Sequence, residues 1–158
     1  MLPILIILIF TVLTATVYSL DIVVNTWSGP FTSATSAAYR QLERGGSALD
    51  AVESGCSTCE ANQCDGSVGY GNHPDTNGHT TLDALIMDGS TMDAGSVGFV
   101  RSYRNVIALA RYVLTYTEHT LVVGEGAEAL ADMIGLTKRA PTTTNASREI
   151  YDRLAIFA

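Results

Sequence analysis

A chain of 158 residues has room for about one domain and too few for two comfortable cores. Its net charge of −7 arises wholly beyond Leu20, and its nine basic residues are scattered, with only Lys138 and Arg139 adjacent. That excludes a patch able to hold a phosphate backbone, so no nucleic-acid partner is expected, and the acidic surface suits an acidic or extracellular compartment.

Met1 to Leu20 contains no charged side chain. The apolar run from Leu2 to Leu13 is shorter than the roughly 20 residues needed to span a bilayer. Val17 and Ser19 form a small-x-small pattern, so residues 1–19 read as a secretory signal peptide cleaved after Ser19, although its basic start is missing. An uncleaved anchor is the alternative, and no membrane association is expected after cleavage.

Asp21 to Asn25 (DIVVN) is a β-branched run, read as a buried strand ending at Thr26-Trp27. Ser28-Gly29-Pro30 predicts a turn, and a helix follows from Thr32 or Ser33 until Gly45-Gly46 stop it. Ser47 with Asp50 three residues on predicts a capping box opening a helix that runs to about Glu60. Residues 61–80 are rich in Gly, Asn and Asp and read as loop. The runs Thr81–Asp88 and Thr91–Val100 around Gly89-Ser90 predict a β-hairpin. Val106, Ile107, Ala110, Val113 and Leu114 share one helical face, Leu121–Val123 is a short strand, and Gly126–Gly135 an amphipathic helix. This order predicts an α/β (α+β) sandwich rather than a doubly wound sheet. Beyond Lys138 the polar run carries little pattern, apart from the N-glycosylation sequon Asn145-Ala146-Ser147.

Cys56, Cys59 and Cys64 are spaced C-x2-C-x4-C. A zinc site would need His73 or His79 as a fourth ligand brought in by a loop, and the paired-spacing signature is incomplete, so no metal is expected. The favoured reading is a local Cys59–Cys64 disulfide in an oxidising compartment. Cys56, at helical spacing from Ala48 and Val52, is then an inert core thiol. Asp83, Asp88 and Asp93 lack calcium-loop spacing, and GSVGYG lacks the Lys-Ser/Thr of a phosphate loop, so no cofactor is expected.

Five segments carry a family resemblance: VVNTW at 23–27, GGSALDAVESGC at 45–56, CDGSVGYG at 64–71, TTLDALIMDGSTMDAGSVG at 80–98 and HTLVVGE at 119–125. In this order and spacing the chain resembles glycosylasparaginase, an N-terminal-nucleophile hydrolase that cleaves the Asn–GlcNAc amide of degraded glycoproteins. The resemblance covers nearly all of residues 22–136; residues 20–136 then form an α-chain region and 137–158 a divergent polar tail. It implies part of a four-layer αββα sandwich lacking its β-chain half, and pairing of α and β chains in an oligomer. It implies a lysosomal or extracellular location reached through the secretory pathway, and a glycosylasparagine substrate. By the same resemblance Trp27 walls the substrate pocket, and the Ser67 hydroxyl supports the nucleophile. On the residues alone, Trp27 reads rather as core packing and Ser67 as a turn former.

In that family an N-terminal threonine, released by cleavage after His-Asp, is nucleophile, and its free amine is the base. This sequence holds no His-Asp-Thr triplet, and its single Asp-Thr pair, Asp75-Thr76, is followed by the turn residues Asn77-Gly78 rather than a core strand. The 158-residue chain is therefore expected to be inactive alone. The alternative is a non-catalytic secreted paralogue, or a fragment, with a binding role or none.

Overall fold

The computed structural model describes residues 20–141 and 143–155. The expected signal peptide, residues 1–19, lies outside the described residues. Two helices come first, α1 (Thr32–Glu43) and α2 (Ala48–Asn62). Strands β1 (Leu82–Met87) and β2 (Ala94–Val100) follow, then helix α3 (Val106–Tyr116), strand β3 (Leu121–Val123), and helices α4 (Gly124–Met133) and α5 (Asn145–Ala155). The class is mixed α/β.

Helix α2 opens as its sequence dictates. The Asp50 amide donates to Ser47 Oγ at 3.1 Å and the Ser47 amide to Asp50 Oδ2 at 2.9 Å, closing a reciprocal box worth about 1 kcal/mol. It packs against α1 through small residues. Ala51, Gly55 and Cys59 are buried opposite Ala34, Ala37 and Ala38, and a Cβ on Gly55 would lie 3.1 Å from the Ala34 carbonyl oxygen. This close approach selects the stripe of smallest side chains. Ala48, Val52 and Cys56 lie on the neighbouring stripe and are exposed, so Cys56 is not a core thiol. Hydrophobic spacing alone pointed to the wrong stripe.

Gln63, in the left-handed region at φ 56°, ends α2, and the chain turns back to join Cys64 to Cys59 in a disulfide with Cα atoms 5.1 Å apart. Replacing the pair (Cys59→Ala with Cys64→Ser) should cost about 2 kcal/mol, the loop-closure entropy of so short a ring. Urea midpoints of the parent with and without reductant check this; a parent indifferent to reductant would contradict it.

The sheet has the order β1-β2-β3, with β1 and β2 antiparallel and β2 and β3 parallel. Leu82, Ile86, Val97 and Val100 point to one face and form the core with Ile107, Leu109, Ala110 and Val113 of α3 and Ala127 and Ala131 of α4. Gly95 lets α3 lie directly on β2: a Cβ there would overlap the Leu114 amide nitrogen and stand 2.5 Å from the Ala110 carbonyl oxygen. Beside this core the buried Tyr103 hydroxyl donates to Asp132 Oδ1 at 2.5 Å, which pushes its own ionisation up to about 12.

Among the described residues nothing covers the other, apolar face of the sheet, where Leu85, Met87, Phe99, Leu121 and Val123 are all exposed. At its edge the register slips between Leu82 and Ala84, so that Asp83 stands opposite a bulge. The Asp83 carboxylate accepts the Phe99 amide at 2.8 Å and holds Phe99 at φ 57°.

Two segments depart from the sequence reading. DIVVN forms no strand: no neighbour among the described residues completes a ladder with it, and Ile22 and Val24 are 67% and 82% exposed. Its β-branched composition describes fitness for a half-buried sheet surface, which needs a partner to exist. Conversely, the patternless polar run ends in a helix, α5. Thr144 and Ser147 cap its start, while Tyr151 donates its hydroxyl to the Thr76 carbonyl at 3.2 Å.

Candidate functional site

Trp27 sits in a turn built by Asn25, whose side-chain oxygen accepts the Trp27 amide at 3.0 Å while its amide nitrogen donates to the Phe31 carbonyl at 3.2 Å. The indole leans on the Phe31 ring, with centroids 5.7 Å apart, and remains 66% exposed. The two rings present an aromatic surface to solvent.

Ser67 lies in the loop after the disulfide. Asp65 Oδ1 accepts both its amide (2.9 Å) and its hydroxyl (2.6 Å), and these bonds hold the Asp65 carboxyl below the usual carboxylate range. Ser67 is exposed, and its hydroxyl proton is directed to Asp65. The two segments lie side by side: Cys64 Sγ is 3.6 Å from the Pro30 carbonyl oxygen, next to the Trp27 turn.

Between these segments runs an open groove of about 380 Å³, lined by Val23–Asn25 and Phe31 on one side and by Val68, Asp83 and Leu85 on others. Trp27 and Ser67 stand beside its lining residues rather than in its floor. Cys56, Cys59 and Glu60 contribute the α2 wall. Asn145, the sequon residue, is exposed at the start of α5.

Sequence reasoning missed Glu60. It is 7% exposed, and its Oε1 accepts the Ile107 amide at 2.9 Å, so a carboxylate from α2 caps the N-terminus of α3, where Asn105 makes no side-chain cap. Its Oε2 has no hydrogen-bond partner among the described residues. Burial raises its ionisation to about 7 despite the helix amides, and nearby Glu53 adds to the rise. Nothing local in the sequence marks this residue, because its partners lie 47 positions away. Asn25 and Asp83 were equally silent: each acts on backbone groups whose position only the fold reveals.

The chain matches the asparaginase family over residues 4–155. It is 53% identical over 132 residues to the N(4)-(beta-N-acetylglucosaminyl)-L-asparaginase of Mus musculus, covering 84% of this chain and 37% of that protein. The corresponding protein of Rattus norvegicus matches to the same extent. A probable isoaspartyl peptidase/L-asparaginase 3 of Arabidopsis thaliana is 50% identical over 115 residues, 73% of this chain and 32% of that protein. The chain thus spans about a third of the length of the curated relatives it matches. With residues 4–155 accounted for by one family and half the aligned positions identical in these relatives, the chain belongs to the asparaginase family.

Proposed function

We propose that this chain is the N-terminal, α-chain portion of an amidohydrolase that cleaves the Asn–GlcNAc amide of glycosylasparagines, releasing aspartate and an amino sugar. The observation that carries the reading is the 53% identity to N(4)-(beta-N-acetylglucosaminyl)-L-asparaginase, spread over 84% of the chain. The exposed Trp27 ring fits a pocket wall, and the Ser67 hydroxyl, oriented by Asp65, fits a support for a nucleophile brought by another part of the enzyme. The bare apolar sheet face fits the inner layer of an αββα sandwich, the place where a second sheet would pack. In this reading residues 20–136 supply the layer, and 137–158 are a divergent polar tail. The Cys59–Cys64 disulfide favours a secretory route to a lysosomal or extracellular compartment.

A threonine whose own amine takes its proton needs no metal; it needs a strand to hold hydroxyl, amine and substrate in line. Such a residue belongs to the remainder of the enzyme, and the 158-residue chain is expected to release no aspartate from an aspartyl-glucosamine substrate by itself. Adding the C-terminal remainder of a relative should restore turnover. Release by the purified chain alone would overturn the division of labour. In the reconstituted enzyme Trp27→Ala should raise KM by about tenfold, the scale of one aromatic contact. Because the ring is 66% exposed, the thermal midpoint should hardly move, and an unchanged KM would return Trp27 to a local packing role.

A further inference from the structure

We propose that Asn145 is the acceptor of an N-linked oligosaccharide, and that the sugar is attached before helix α5 forms. The inference rests on the secretory reading above. Asn145-Ala146-Ser147 is the only Asn-x-Ser/Thr sequence in the chain. Asn145 and Ala146 are exposed, as are Arg148 and Glu149 on the following turn, so a bulky sugar on the Asn145 side chain meets open solvent.

The third residue of the sequon is the opposite. Ser147 is 1% exposed, and its hydroxyl is committed to Thr144. Ser147 Oγ accepts the Thr144 amide at 2.7 Å and lies 3.0 Å from both Thr144 Oγ1 and the Thr144 carbonyl oxygen, while the Ser147 amide donates to Thr144 Oγ1 at 3.2 Å. Thr144 and Ser147 cap the helix reciprocally. A transferase that recognises the serine hydroxyl cannot reach it in this state, and the helical backbone of 145–147 cannot present the sequon extended. Modification and folding of this segment are therefore ordered: the sugar goes on first, then Ser147 closes the cap.

In the transfer, Asn145 Nδ2 forms a bond to the anomeric carbon of a lipid-pyrophosphate-linked oligosaccharide. The anomeric carbon–oxygen bond breaks, the lipid pyrophosphate leaves with the electron pair, and one Nδ2 proton is released.

The test translates the 158-residue chain in the presence of microsomes, once with its own N-terminus and once behind a strong foreign leader. The leader-driven chain should gain one glycosidase-sensitive step in mobility, lost in Asn145→Gln and in Ser147→Ala. A leader-driven chain that is protected from protease yet gains no step would overturn the site. A step with the foreign leader only would uphold the site while sinking the secretory reading of residues 1–19. For the order of events, solubilised oligosaccharyltransferase and lipid-linked donor are offered the natively folded chain, the urea-unfolded chain after dilution, and a peptide of residues 140–152. The folded chain should react more slowly by about tenfold or more, since transfer then waits on local opening of the helix start. Equal rates for folded chain and peptide would overturn the proposed order.

Discussion

Gly95→Ala is expected to destabilise the fold by about 3 kcal/mol or more, the upper range for forcing atoms into a packed core. The added methyl would meet backbone on α3, the Leu114 nitrogen and the Ala110 carbonyl oxygen, and no rotamer change can move either aside. Relief would require lifting α3 off β2, which separates Ala110 and Val113 from Val97 and Val100 and opens the centre of the core. Gly89 provides the control. Nothing lies within 4 Å of a Cβ there, its φ is ordinary for an L residue, and Gly89→Ala should stay within about 0.5 kcal/mol of the parent. Urea denaturation of the three proteins measures both differences. If Gly95→Ala unfolded at the same denaturant concentration as Gly89→Ala, the close helix–sheet approach would be wrong.

The second large effect is a gain of stability on acidification. Glu60 ionises at about 7 in the folded chain against an ordinary value of 4.5, because burial penalises its charged form. An acid with a raised value binds more protons folded than unfolded between those limits, so stability falls as pH rises from 4.5 to 7 and is penalised in full above 7. The span corresponds to about 3 kcal/mol at most. Burial also raises the Glu53 carboxyl, which acts in the same direction. At lower pH the sign reverses: Asp50, Asp88 and Asp132 are held below the usual range by their hydrogen bonds to Ser47, Ser90 and Tyr103, and their contribution disappears as they protonate. The fold should therefore be most stable near pH 4.5. Glu60→Gln keeps an oxygen for the Ile107 amide and removes the charge, so it should flatten most of the pH 4.5–7 slope. An unchanged slope in that variant would assign the effect elsewhere.

What the sequence disclosed follows the range of the interactions. The Ser47–Asp50 box, the hairpin around Gly89-Ser90 and the buried face of α3 are set by residues a few positions apart, and all were readable. The stripe by which α2 packs was not, because the choice between Ala48–Val52–Cys56 and Ala51–Gly55–Cys59 is made by how closely α1 approaches. DIVVN failed as a strand for want of a neighbour. Helix α5 escaped notice because its apolar positions, Ala146, Ile150, Tyr151 and Leu154, are few in an otherwise polar run; a cap and contacts to the 76–78 loop hold it. At the candidate site, Trp27 and Ser67 came from family resemblance, whereas Asn25, Asp65 and Glu60 emerged only once hydrogen bonds could be followed.

The bare face of the sheet sets a limit on solubility that runs against the limit on stability. Leu85, Phe99, Leu121 and Val123 are sticky surface, and for the chain by itself electrostatic repulsion from a net charge of −7 is what keeps copies apart. That repulsion fades near the isoelectric point of about 4.7, close to the pH at which Glu60 makes the fold strongest. Salt weakens it too, since at 0.1 M charges are screened beyond roughly 10 Å. The conditions that best preserve the folded chain are thus those in which its copies most readily stick, until something covers that face.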